Sequence, residues 1–265
     1  MSTGAIIFAF NGDLEYTRIA QECARRIKHH LNIPVTLISD SVRTYSGFDN
    51  QLLVERAGAT GNRSWADCDA PIAWRNSGRS NAFDLSPYDR TLLVDADYWI
   101  DSDNLSCALE SNTSFLAHNN RMYVNETVPK TETFGTLKTP MWWATVCVFD
   151  RSEYTQDVFL AWQMIENNYA HYANLFQFNR KPFRNDYALS LALLLVNGGT
   201  MPTESIPWTL INVPDSCDVD LADEWTLGYT VYENGQLKPK RITVKDQDLH
   251  VMGKRNLEKL LELHG

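Results

Sequence analysis

No two cysteines stand at the spacing of a redox or zinc pair. The five present (Cys23, Cys68, Cys107, Cys147 and Cys217) form no Cys-x-x-Cys and are odd in number. A complete disulfide framework is therefore not expected, and a reducing compartment fits the chain better. Long apolar runs are also missing. Leu191–Val196 falls far short of the roughly 20 residues that span a bilayer, and Ala5–Phe10 is shorter than the core of a secretory signal and has no basic flank. The expectation is a soluble, cytoplasmic protein without a membrane partner. Positive charge is scarce: 24 Lys and Arg stand against 33 Asp and Glu, for a net charge of −9 and a pI near 5.1. Bulk charge thus argues against non-specific nucleic-acid binding, although a local basic surface stays open. Finally, no glycine-rich fingerprint follows the first apolar run, where the chain reads Asn11-Gly12-Asp13. A nucleotide site there has to be argued from topology.

What is present suits an α/β fold. The 265 residues, 44% hydrophobic and 22% charged, can bury a large core. Ala5–Phe10 reads as a buried strand. Asp13 is placed to cap a helix carrying Ile19, Cys23 and Ile27 at four-residue spacing, and Val35–Ile38 is a second strand closed by Asp40. Such a strand–helix–strand unit predicts a right-handed crossover and parallel pairing. At its open end Phe8, Ala9, Phe10 and Asn11 would offer backbone groups to a nucleotide, and Asp40 would meet its ribose or base.

The central stretch is Thr91–Ile100. A short apolar run, Leu92-Leu93-Val94, stops at Asp95-Ala96-Asp97. Burying an unpaired carboxylate costs several kcal/mol, so a strand that ends in Asp-x-Asp needs a cation or a cluster of donors at its tip. In open α/β sheets that tip is where ligands bind.

Other segments are read more coarsely. Residues 41–70 are polar and without periodicity. A helix is expected from Pro71 to Phe83, with Arg75 and Arg79 four apart on one face; the plain reading of these is surface arginines paired with Asp84 or Asp89. Asp101-Ser102-Asp103 suits a turn and helix cap, and Phe115–Ala117 a strand. A long loop from His118 to Pro140 is assigned to the acceptor side. Met141–Asp150 is a strand whose Trp142 or Trp143 could stack on a sugar or base, or fill the core. A helix follows over Phe159–Tyr169. Asn185-Asp186 opens another that runs to Val196, where Asp186 would ordinarily complement the helix dipole. Met201 to Gln236 has no Lys or Arg and is read as a solvated acidic excursion, with a calcium site as the alternative.

Near the C-terminus stands His250-Val251-Met252-Gly253-Lys254. A neutral imidazole adds a metal ligand without charge, a glycine admits close backbone approach, and a lysine can neutralise a departing phosphate. Together with Asp95-Ala96-Asp97, this segment resembles the retaining, glycogenin- and galactosyltransferase-like glycosyltransferases of GT-A fold. The order of strands, Arg helix, Asp-x-Asp, Asn-Asp helix and His-x-x-Gly-Lys extends the resemblance over nearly the whole chain. It departs in lacking Lys-Pro-Trp after Gly253 and the usual glutamine near Asn185-Asp186.

The resemblance implies a single GT-A, Rossmann-like domain over residues 1–265, with a mixed, mostly parallel sheet flanked by helices. Residues 1–100 would form the nucleotide-binding half and 101–265 the acceptor half, with a C-terminal segment for metal and diphosphate. It implies Mn²⁺ or Mg²⁺ held by Asp95, Asp97 and His250, and a nucleotide-diphosphate sugar, UDP-linked, as donor. Arg79, with Arg75 as second choice, Ala96, Gly253 and Lys254 would meet that donor. Asp186 would be the catalytic acid beside the anomeric carbon, and Trp142, Trp143, Arg184 and Asn185 would face the acceptor. Phage-encoded enzymes of similar compactness suggest 5-hydroxymethylcytosine in DNA as acceptor, with Arg121, Lys130, Lys138, Arg180, Lys181 and Arg184 as a basic rim. A glycan or protein acceptor, a nucleotidyltransferase and a non-catalytic sugar-nucleotide binder are the competing readings. The oligomeric state stays open.

Overall fold

Six strands form the main sheet, and the first of them sets its direction. β1 (Thr3–Phe8) is enclosed at its four central residues. α1 (Tyr16–Leu31) buries Ile19, Ala20, Cys23, Ala24 and Ile27, the face that four-residue spacing predicts. β2 (Val35–Ser39) and β3 (Asn50–Leu53) add in parallel on one side of β1. The structure, a computed structural model, describes residues 1–12, 15–55, 61–63, 72–74, 78–178, 183–223, 225–231, 240–254, 257–258 and 261–262. Asp13, the expected cap of α1, lies outside them. Asn11 Oδ1 accepts from Thr17 N–H at 2.9 Å in the first turn of α1.

Residues 41–70, polar and poor in periodicity, contain β3 and the strand β4 (Gly61–Arg63). The helix expected from Pro71 is instead a second hairpin strand, β5 (Ile72–Trp74), antiparallel to β4. Among the described residues of that span, helical backbone begins at Arg79, in a single 3₁₀ turn that leads into α2 (Ala82–Leu85). The break is Gly78, which takes φ +90°, a conformation that favours glycine.

β6 (Arg90–Val94), buried along its length, pairs in parallel with β1 on the side away from β2. The chain then turns into β7 (Tyr98–Trp99) and α3 (Asn104–Glu110). The triplet Asp101-Ser102-Asp103 does lead into α3, with Asp103 at its N-cap position, while Asp101 Oδ2 accepts from Asp246 N–H at 3.1 Å and clasps the C-terminal segment. β8 (Phe115–His118) follows. The loop expected from His118 to Pro140 contains three short strands, β9 (Arg121–Tyr123), β10 (Thr133–Phe134) and β11 (Thr139–Pro140).

β12 (Trp143–Asp150) inserts antiparallel between β6 and β8, which completes the order β3-β2-β1-β6-β12-β8. Five of the six strands therefore point the same way. α4 (Glu153–Asn167) starts earlier than expected because Ser152 caps it, its hydroxyl accepting from Thr155 N–H. α5 (Tyr169–Leu175) and α6 (Asn185–Val196) follow. The acidic tract is not merely solvated. It holds β13 (Leu210–Val213), buried at all four residues, then β14 (Asp218–Leu221) and β15 (Leu227–Val231), which build a meander with β16 (Lys240–Thr243). β17 (Leu249–Val251) closes a second sheet of order β7-β17-β13-β9. No helix among the described residues is long and apolar enough to cross a membrane.

Two buried polar side chains tie these layers together. Arg26, fully enclosed on α1, lies 3.4 Å from the Trp99 ring and donates to Ile100 O at 3.2 Å and Trp225 O at 2.7 Å. His118, also fully enclosed, shares a hydrogen bond between Nδ1 and Trp208 O at 3.0 Å. Burial depresses its imidazole to about 4. A depressed base disfavours protonation in the fold, so its contribution is intact above about 6.5, the unfolded value, and is lost as pH falls towards 4. By linkage this amounts to about 3 kcal/mol. Chemical denaturation should therefore show the native protein losing about that much more stability than His118→Gln between pH 7 and pH 4. Parallel losses in the two proteins would contradict it.

Candidate active site

The strand order reverses at β1, which has β2 on one side and β6 on the other. A crevice opens where the carboxyl ends of such strands diverge. The register Ile7↔Val94 and Phe8↔Ile38 puts Phe8 to Asn11, Asp40 and Asp95 along that one rim. The backbone at this rim is partly committed, since Ala9 N–H donates to Ile38 O at 3.0 Å. Asn11 spends its side chain on Thr17 and on Tyr45, whose hydroxyl lies 3.2 Å from its Nδ2.

Asp95 follows the last residue of β6, and its N–H donates to Thr145 O at 2.9 Å. Tyr98 N–H returns to Asp95 O at 3.1 Å, closing a turn that carries the buried Ala96 and Asp97. Val251 N–H then donates to Asp97 O at 3.0 Å, and β17 pairs with β7 through His250↔Tyr98. The second sheet thus brings His250 from the far end of the chain to the tip of β6. One ligand atom each from Asp95, Asp97 and His250 lies within 4.8 Å of the others.

Cations of the protein surround the acids. Lys254 Nζ lies 2.5 Å from Asp97 Oδ2, and His250 Nε2 lies 3.5 Å from the same oxygen. Arg79 pairs with Asp95 Oδ1 and donates from Nη2 to Ala144 O at 2.6 Å. It is held there by Glu166 of α4, which accepts from Gly78 N–H at 2.9 Å and from Ser80 Oγ at 2.7 Å, on either side of it. Arg75 lies outside the described residues. Gly253 is buried, and its carbonyl accepts from Leu257 N–H at 3.0 Å.

Burial raises the Asp95 carboxyl against the pull of Arg79. Burial works the same way on Asp97, but Lys254 and His250 prevail and hold it well below the usual carboxylate range. Asp97 is 4% exposed and Asp95 32%, so the cluster opens to solvent on the Asp95 side.

A divalent ion fits this set. Donors sharing one ion stand up to about twice a 2.0–2.3 Å bond apart, roughly 4–5 Å. Two carboxylate oxygens and one imidazole nitrogen make a mixed oxygen and nitrogen donor set that would fill only part of a six-coordinate shell. The two acids are balanced by Arg79 and Lys254, so an ion arriving with a diphosphate adds little net charge.

The expected acceptor side is rearranged. Trp142 is 2% exposed and Trp143 9%, so both rings fill the core and neither offers a face for stacking. The strand leaves its ladder with β8 between Trp143 and Cys147, freeing backbone groups beside the site. Asp186 uses them: its Oδ1 accepts from Ala144 N–H at 3.0 Å, while Oδ2 takes Arg184 Nη2 at 2.9 Å. Asn185 is buried in the first turn of α6. The basic rim is largely neutralised. Arg121 is buried against Glu126 and Glu132, Lys130 pairs with Glu126, and Arg184 pairs with Asp186. Lys138 is exposed, and Arg180 and Lys181 lie outside the described residues.

Two residues were missed from the sequence. Glu166 is one more acid on a helix. Asn212 sits in β13 with Oδ1 2.7 Å from His250 Nδ1; an asparagine inside the apolar run Leu210–Val213 was the available signal.

No family model matches the chain, and no curated protein sequence matches it. Solved structures with a similar backbone include the glycosyltransferase GlyE of Streptococcus pneumoniae, with 11% identity over 77% of this chain and 46% of that one (TM-score 0.43). The chain thus spans about half the length of GlyE. The galactosyltransferase LgtC, in complex with donor and acceptor sugar analogs, shows 10% identity over 71% and 69% (TM-score 0.42). A putative glucose-1-phosphate thymidylyltransferase of Bacillus anthracis shows 10% identity over 76% and 85% (TM-score 0.40). Likenesses this distant leave the functional reading to the side chains.

Proposed function

We propose that the chain is a metal-dependent glycosyltransferase of GT-A type, which moves a sugar from a nucleotide-diphosphate donor, UDP-linked, to a hydroxyl acceptor. The convergence of Asp95, Asp97 and His250 at the tip of β6, with Lys254 and Arg79 beside them, carries this reading. A divalent ion held there would offset the charge that grows on the departing diphosphate. Lys254 adds a second cation to the same oxygens, and Arg79 keeps Asp95 aimed. Phe8 to Asn11, Ala96 and Asp40 line the rim where the nucleoside would lie, which makes residues 1–100 the donor half and 101–265 the acceptor half of one domain. The absence of a glycine-rich, basic loop after β1 weighs against nucleotidyl transfer.

Hydroxymethylated DNA gains no support from the rim, where Arg121, Lys130 and Arg184 are paired with acids. The discriminating experiment incubates the protein with UDP-sugars and Mn²⁺. Free sugar and UDP are expected; UTP and sugar 1-phosphate formed once pyrophosphate is added, or no turnover, would overturn the assignment. Adding hydroxymethylated DNA, glycans or protein acceptors then reads which one accelerates donor consumption.

Asp186 enters this scheme through Ala144, whose N–H it holds and whose carbonyl holds Arg79. Both its oxygens are engaged, so a positioning role fits it better than attack on the sugar. Asp186→Asn keeps the Ala144 contact and should lower transfer less than tenfold; Asp186→Ala should lower it more. A loss of several orders of magnitude in Asp186→Asn, with melting temperature unchanged, would restore it as the catalytic acid beside the anomeric carbon.

A further inference from the structure

β13 is buried at all four residues, and Asn212 within it is 3% exposed. Parallel pairing with β17 sets Asn212 opposite His250. On the other edge the Asn212 carbonyl accepts from Val124 N–H at 3.0 Å, so the backbone is held from both sides. The side-chain Oδ1 lies 2.7 Å from His250 Nδ1. An amide oxygen only accepts, so the shared proton belongs to Nδ1. In a neutral imidazole Nε2 then carries a bare lone pair, and Nε2 is the atom that faces Asp97 Oδ2 at 3.5 Å. Two acceptors facing each other in a buried site call for a donor or a cation between them, a place that a divalent ion would fill beside Lys254.

We infer that Asn212 is a positioning residue that fixes His250 as the Nδ1–H tautomer and aims its Nε2 lone pair at the divalent-ion site. The inference rests on the reading of His250 as a metal ligand. Without the amide oxygen, the imidazole can turn its proton to Nε2 and donate it to Asp97. That hydrogen bond would satisfy both groups and close the site to an ion. Partners that orient a ligating histidine in this way are generally worth ten- to a hundredfold in metal affinity.

The direct test is a long-range ¹H–¹⁵N spectrum of the metal-free protein at pH 8, above the ordinary imidazole range, with His250 assigned by comparison with His250→Gln. The expected signature is a protonated Nδ1 and a bare Nε2 in the native protein, with the proton moved to Nε2 in Asn212→Leu. An Nε2–H tautomer in the native protein would mean that the amide donates instead, and would overturn the inference without reference to any variant. The second arm titrates Mn²⁺ and follows the free ion by electron paramagnetic resonance. Asn212→Asp keeps an acceptor and should bind at least as tightly as the native protein, whereas Asn212→Leu should lose ten- to a hundredfold. Native affinity in Asn212→Leu would also overturn the inference. If the native protein bound no Mn²⁺, the ligand reading would fall, while the spectrum would still decide the role of Asn212.

Discussion

Asp97→Ala should lower sugar transfer at least a thousandfold and abolish Mn²⁺ binding with it. Asp97 contacts both Lys254 and His250, and it is the most deeply enclosed of the three donors. Removing its carboxylate takes away a ligand and leaves two cationic or protonatable groups with no anion between them. The site then repels a divalent ion. Asp97→Asn keeps the shape and one oxygen but not the charge, so it should fold with little change and still bind the ion poorly. Free Mn²⁺ measured by electron paramagnetic resonance, beside donor turnover, separates loss of the site from loss of the fold. Native affinity for Mn²⁺ in Asp97→Ala would remove this residue from the metal shell.

Lys254→Met should lower transfer a hundredfold or more while leaving ion binding intact or improved. In the metal-free protein Lys254 supplies the positive charge at Asp97 Oδ2, 2.5 Å away, with both side chains largely buried. An ion coordinated by that oxygen cannot share it with an ammonium at this distance. Ion binding would therefore free Lys254, and the open Asp95 side of the cluster is where a diphosphate would receive it. Removing one member of a buried ion pair costs about 3–5 kcal/mol, so the metal-free variant should melt earlier. Saturating Mn²⁺ should then restore more stability to the variant than to the native protein, since an ion that binds only the folded state stabilises in proportion to its affinity. Thermal melts with and without Mn²⁺, set beside turnover and donor affinity, read both effects. Unchanged turnover in Lys254→Met would take the lysine out of the mechanism.

The parts of the site that were legible in the sequence are those where physics leaves few options. Two carboxylates that end Leu92-Leu93-Val94 cannot be buried without cations, and the cations found are Arg79 and Lys254, both proposed from the sequence. The parallel β1–α1–β2 unit was equally plain, because α1 buries the face marked by its four-residue spacing. What stayed hidden depends on partners. Nothing local says that Trp142 and Trp143 are enclosed, since an aromatic pair reads the same in a core and in a pocket. The rim arginines and lysines looked basic because Glu126, Glu132 and Asp186 face them only in the fold. Arg79 opens a 3₁₀ turn after Gly78, whose φ of +90° no spacing of arginines foretells. β13 was masked by the acidic residues around it, and with only four buried residues interrupted by Asn212 it carries no periodic signal. Its function came into view through pairing with β17, a contact between segments that are distant in the chain.

The most direct measurement is the anomalous scattering of a crystal grown with Mn²⁺ and UDP. The expected result is one strong manganese peak about 2.0–2.3 Å from oxygens of Asp95 and Asp97 and from His250 Nε2, with diphosphate oxygens completing the shell and Lys254 turned onto them. A manganese peak away from these three side chains, or UDP bound with none, would contradict a metal-dependent transferase built on this cluster.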